Sequence, residues 1–197
     1  MKSDPTAKSP TLTPTLWLVG YGAWPVKRRA SALVETLGLR GVSRLIDIRL
    51  SPCGSDVDPA RPYGPRPWNL QASSAGIVGI LNKADIAYEW LVELGNPQRK
   101  DPTMTVLRSH LADFHGRWPV HQGLKRLADL VRNPSESVAI LCACGDARRC
   151  HRTVVAEALA ARHFGGALAI REVFEKRNRS PQAEKGPGGP DHPHKGG

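Results

Sequence analysis

The sequence predicts an α/β protein, a mostly parallel sheet of about five strands with helices on both faces in a Rossmann-like three-layer arrangement. Three observations predict it. Short apolar runs recur between glycine, proline or polar stops, as strands buried on both faces do. Segments with apolar residues three and four apart lie between those runs, the period of helices packed on one side. The two kinds alternate, as crossover connections between parallel strands require.

The first strand is expected in LWLVGYG (16–22), an apolar run stopped by glycine. KRRASALVETLGL (27–39) follows, with Ala32, Leu33, Thr36 and Leu37 at helical spacing. SRLIDIRL (43–50) reads as a second buried strand, and the Pro/Gly-rich stretch 51–70 after it as a long loop. A helix is expected over 74–84 and a short strand over 86–91. ELGNP (93–97) reads as a turn in which Gly95 and Asn96 suit positive φ. Two helices are expected in 105–118 and 121–133, the clearest strand in SVAILC (137–142), a strong helix in 151–164 and a last strand in 167–173.

Residues 16–174 are therefore read as a single domain. The Pro/Ser/Thr-rich residues 1–15 and the Gly/Pro/charge mixture 175–197 lack the apolar residues to fold and are expected to be disordered tails. His192 and His194 are too sparse for a metal site. No apolar run reaches the length of a membrane span or a signal-peptide core. Four cysteines do not make a disulfide framework in 197 residues. The expectation is a cytoplasmic protein with no membrane partner, its cysteines serving as thiols, metal ligands or catalytic groups. The formal net charge of +10 lies mostly in the central region, which suits a phosphate-containing small molecule or a nucleic acid as partner, or simply a basic surface.

Ligands of such sheets collect where strands pass into helices, which singles out three loops. The first is GYGAWP with Gly20 and Tyr21. The second is DIRLSP, in which Asp47 and Arg49 alternate with Ile46 and Ile48 and so face one side. Asp47 and Arg49 make either a structural ion pair or an acid/base and an anion clamp. The third, LCACGDARRCHR (141–152), holds three of the four cysteines with His151, Arg148, Arg149 and Arg152. A helix N-terminus among arginines favours an anion, and the same field favours a thiolate. Cys142 and Arg148 show the Cys-x5-Arg spacing of cysteine phosphatases, but the loop lacks their small residues and Asp146 adds a negative charge inside it. Cys142, Cys144, Cys150 and His151, with Cys53 as a further candidate, are soft ligands suited to zinc or iron. Against that, C-x-C-x5-C-H is not a common zinc spacing, and adjacent Cys150 and His151 at a helix start are expected to point apart. Tyr63, Trp68, Tyr88 and Trp90 offer faces for a base or fill the core.

LVGYGAWP, DIRLSP, YEWLVELGNP and ILCACGDARRCHR together resemble the bacterial and archaeal domain of unknown function 488 family over about 16–173. The positions the resemblance marks are Gly20, Tyr21, Asp47, Arg49, Pro52, Tyr88, Leu94, Gly95, Cys142, Cys150, His151 and Arg152. Cys144 stands where that family usually has a glutamate, Ala23 replaces a hydroxyl residue, and Asn96 replaces a second glycine. The resemblance implies fold and site rather than a reaction. The leading expectation is an anion-accepting enzyme, possible chemistry being transfer or hydrolysis on a phosphate-containing substrate. In it Asp47 or His151 moves the proton, Cys142 or Cys150 is the nucleophile, and Gly20, Tyr21, Arg49, Tyr88, Arg148 and Arg152 bind. No cofactor is required by it. A non-catalytic nucleic-acid-binding module and a zinc or iron thiolate protein are the alternatives.

Overall fold

A computed structural model describes residues 13–50, 76–98 and 101–174. Pro52, Cys53, Tyr63, Trp68 and most of both expected tails, with His192 and His194, lie outside the described residues. Strands β1 (Thr15–Gly20), β2 (Arg44–Asp47), β3 (Ala87–Trp90), β4 (Val138–Cys142) and β5 (Ala169–Glu172) form one sheet in the order β3-β2-β4-β1-β5. Every pairing is parallel. The register sets Gly20 beside Cys142 and Asp47 beside Leu141.

Helices cover both faces, so the expected α/β three-layer arrangement is the observed one. Helices α1 (Arg29–Leu39) and α2 (Ile77–Asn82) bury Leu33, Leu37, Ile77 and Leu81 against Val19, Leu45, Ala139 and Leu141. Helices α3 (Thr105–Ala112), α4 (Pro119–Arg132) and α5 (His151–His163) bury Leu107, Leu124, Leu127, Val155 and Leu159 against Leu16, Leu18, Ile46 and Ile140. The central strand β4 is buried at every position, so its sequence reads as unbroken apolar rather than alternating. In α4 proline occupies the first turn, where its missing N–H costs nothing, and Val120, Leu124, Leu127 and Val131 make the buried stripe. Truncating a fully buried leucine such as Leu124 removes about 2–5 kcal/mol.

Three local expectations are corrected. The helix read over 105–118 ends at Ala112, because Asp113 leaves helical geometry and its carboxylate accepts from the Gly116 N–H (2.9 Å) and from Trp118 Nε1 (2.9 Å). The helix expected from 27 opens with a 3-10 turn, Val26–Arg28, and becomes α-helical only at Arg29. Gly95 has φ −69°, not a positive value, and Asn96 is not among the positive-φ residues either. Gly95 is required for space: a Cβ there would lie 2.8 Å from the Cα of Leu50.

Candidate metal centre at the strand ends

Strand order brings the three singled-out loops together. β4 lies between β1 and β2, so its C-terminal loop has the other two as neighbours. The Gly22 N–H donates to the Ala143 carbonyl (3.0 Å) and the Ile48 N–H to the Leu141 carbonyl (3.2 Å). Gly20 permits the closest approach: a Cβ there would sit 2.0 Å from the Cys144 carbonyl oxygen and 2.5 Å from the Arg152 guanidinium. Glycine at this point is a packing requirement of the β4 loop.

Strand alternation then divides the functional side chains between the two faces. Ile46 packs in the α3–α5 core and Leu141 in the α1–α2 core. Asp47 therefore lies on the α1–α2 face and Cys142, one residue beyond Leu141, on the α5 face.

On the first face Asp47 is fully buried and Arg49 nearly so. Arg49 Nε donates to both Asp47 oxygens (2.9 and 3.0 Å), and the Arg49 N–H adds a third bond to Oδ1 (3.0 Å). The Tyr88 hydroxyl donates to Asp47 Oδ2 (2.7 Å). Arg49 also lies over the Tyr21 ring, 5.5 Å from its centroid, and its carbonyl accepts from Trp90 Nε1 (2.9 Å). Burial alone would lower the Arg49 pKa, but the hydrogen bonds and charge of Asp47 outweigh it and raise it. Burial, then the Asp47 charge, pushes the Tyr88 hydroxyl up, so it stays a donor. Asp47 and Arg49 satisfy the structural-pair alternative geometrically, and Tyr21 and Tyr88 join them.

On the second face stand sulfur and imidazole. Cys142 and Cys150 are buried and Cys144 is exposed. Cys142 Sγ lies 3.7 Å from Cys144 Sγ and 3.5 Å from His151 Nδ1. The ligand atoms of Cys142, Cys150 and His151 all lie within 4.8 Å of one another. His151 Nε2 is 2.9 Å from the Ile48 carbonyl, an acceptor only, so Nε2 carries the hydrogen and Nδ1 presents its lone pair to the thiols. The expectation that Cys150 and His151 point apart is therefore corrected. Cys150 is the N-cap of α5 with extended φ −130° and ψ 140°, so the helical rotation that would separate the two side chains starts only after it.

The thiols perturb one another strongly. Cys144 is pulled well below the ordinary thiol range, first by hydrogen bonding from Cys142 and then from Cys150. Cys142 and Cys150 are pushed up, chiefly because each shares its proton with a neighbouring sulfur. Burial opposes protonation of His151, yet contact with Cys150 leaves its pKa raised.

Two of the three arginines of the β4 loop, Arg148 and Arg152, are engaged by the protein itself. Arg152 is 1% exposed, donates to the Cys144 carbonyl (2.8 Å) and pairs with Glu172 on β5 (3.3 Å). It thereby positions the loop that carries Cys144. Arg148 turns to Asp146 (3.2 Å) with its side chain 81% exposed. Asp146 in turn accepts from the Arg148 N–H (3.0 Å) and caps the 3-10 turn Ala147–Arg149. Sequence reasoning passed over the Ile48 carbonyl and Glu172 and set Cys144 aside. Glu172 in the last strand was the one available signal, a carboxylate in a chain whose excess charge is basic.

Residues 65–159 match a family model described as Domain of unknown function DUF488. The match contains Tyr88, Leu94, Gly95, Cys142, Cys150, His151 and Arg152, and leaves Gly20, Tyr21, Asp47 and Arg49 before its start. No curated protein and no solved structure matches the chain. No helix among the described residues is long and apolar enough to cross a membrane. Over this segment the chain is similar to the DUF488 family of domains of unknown function.

Proposed function

We propose that the strand-end cluster is a transition-metal centre, zinc being the ion its ligand chemistry fits best. Cys142, Cys150 and His151 supply three buried ligands, and Cys144 reaches the ion from the solvent side as the fourth. One observation carries this reading: Cys142 Sγ stands 3.7 Å from one sulfur and 3.5 Å from an imidazole nitrogen. Tetrahedral zinc with Zn–S about 2.3 Å and Zn–N about 2.0–2.1 Å has S–S edges of about 3.8 Å and S–N edges of about 3.5 Å. The Nε2–H bond to Ile48 supports it, since an imidazole ligand is commonly held by donating its other N–H to a carbonyl. Thiolate with imidazole selects zinc or iron over calcium or magnesium.

The test is elemental analysis of freshly purified full-length protein under reducing, chelator-free conditions, paired with cobalt substitution. The expected result is about one zinc per chain, the intense visible bands of tetrahedral thiolate-bound Co(II), and loss of both in Cys150→Ser. Metal-free protein that also gives no such cobalt spectrum would falsify the reading.

A second reading is favoured by the same Cys142–His151 pair. A thiol 3.5 Å from an oriented imidazole is the arrangement of a nucleophile and its base. The raised Cys142 pKa speaks against it, because the attacking group must be the thiolate. Iodoacetamide decides between the two: rapid alkylation at Cys142 in metal-loaded protein favours thiol catalysis, and protection favours the metal centre.

A further inference from the structure

The strand-end loops absorb little of the chain's positive charge, since Arg49, Arg148 and Arg152 face Asp47, Asp146 and Glu172. A different group of cations does lie uncompensated, in a groove on the helical layer opposite α1 and α2. This groove encloses about 580 Å³ and is lined by Phe114, His121, Lys125, Arg162 and His163 among others. Its volume suits a small organic ligand.

The Arg162 guanidinium lies 4.0 Å from the centroid of the Phe114 ring and donates to His121 Nδ1. His121 Nε2 is 2.8 Å from the Asp113 carbonyl, so it carries the ring hydrogen and leaves Nδ1 as the acceptor. Arg162 is therefore held in one orientation by a neutral partner, its charge intact. No carboxylate pairs with Arg162 or Lys125 among the described residues. The carboxylate of Asp113 is turned to the Gly116 N–H and Trp118 Nε1. His163 is pulled below its usual pKa by burial and then by Arg132 and Arg162, with Asp129, the partner of Arg132, opposing them. Phe114 is 65% exposed, a large aromatic left at the mouth of a cationic groove. Fixed guanidinium, free ammonium and open aromatic surface are the groups that take a phosphate and a base together.

We propose that this groove binds a nucleotide, Arg162 and Lys125 holding the phosphoryl oxygens while the base stacks on Phe114. The nucleotide is either free or the end of a single strand, and the chemistry of the groove is the same for both. The site is independent of the thiol cluster, so failure of one reading leaves the other standing.

Isothermal titration of AMP into the full-length chain tests it, with adenosine and inorganic phosphate as the two half-ligands. AMP is expected to bind at least about tenfold more tightly than either half, as stacking and charge-assisted bonds each contribute. Arg162→Gln and Phe114→Ala are each expected to weaken AMP about tenfold or more, and Lys125→Glu, at an exposed position, to weaken it in the same direction. A short single-stranded oligonucleotide distinguishes the source: binding well above that of AMP, lost in the same variants, assigns a strand, and binding equal to AMP assigns the free nucleotide. No heat with AMP or the oligonucleotide, or affinities unchanged in all three variants, overturns the proposal.

Discussion

The two faces of the sheet end in clusters of opposite character, Asp47 on β2 lying beside Leu141 and Cys142 standing one residue further along β4. On the α1–α2 side, Asp47 meets Arg49 and Tyr88, and every charge finds its complement within the protein. On the α5 side, Cys142 stands against Cys144 and the His151 ring, and the ligand atoms of Cys142, Cys150 and His151 lie within 4.8 Å of one another. Both sets are centred on buried residues, Asp47 with Arg49 and Cys142 with Cys150, at strand ends, the place where such sheets hold ligands. Location alone therefore does not distinguish a brace from a binding site. Internal balance does: the donors and acceptors of the Asp47 set cancel, whereas Cys142, Cys150 and His151 are groups that could hold a metal ion.

The comparison can be broken from either side. The largest effect is expected at Asp47→Ala, which leaves the buried Arg49 charge without its partner and costs about 3–5 kcal/mol in denaturant unfolding. A loss under about 1 kcal/mol would mean that the pair is solvated and not a brace. Next comes metal removal. With ion at about 100–1,000 times its dissociation constant, chelation should lower stability by about 3–4 kcal/mol in the native chain and leave Cys150→Ser unaffected. Equal effects on both proteins would detach the ion from the thiols. Tyr88→Phe should cost about 1.5–3 kcal/mol, the worth of a hydrogen bond to a carboxylate, with metal content unchanged. A fall in metal content in that variant would show that the clusters act as one. The smallest effect belongs to Arg148→Ala, whose melting temperature should match the native protein's because its ion pair is solvent-exposed.

Much of the architecture was legible in the sequence because buried parallel strands announce themselves. VAILC is apolar at every position, and the stripe of α4 keeps its period over the whole helix. Boundaries were less legible where a side chain ends an element, as Asp113 ends α3. The candidate site was legible as a list of residues rather than as an arrangement. Alternation placed Asp47 with Arg49 correctly, but no spacing rule says that Cys142 faces away from them. That division follows from the register of β2 on β4, a long-range pairing that local periodicity does not encode. The convergence of Cys150 and His151 was hidden for a similar reason, since it depends on the backbone conformation of an N-cap.

The strand order carries a consequence for how the chain is made. β1 pairs only with β4 and β5, so the first strand synthesised has no partner in the sheet until residue 138 has emerged. Until then β2 and β3 can pair, but the sheet lacks its middle. Insertion of β4 joins the halves and delivers Cys142 in the same event. Assembly of this sheet is therefore a late, non-local step, slow to nucleate and exposed while it waits. Ion capture would report the insertion of β4, since no product of synthesis shorter than that holds both Ile48 and His151 in place.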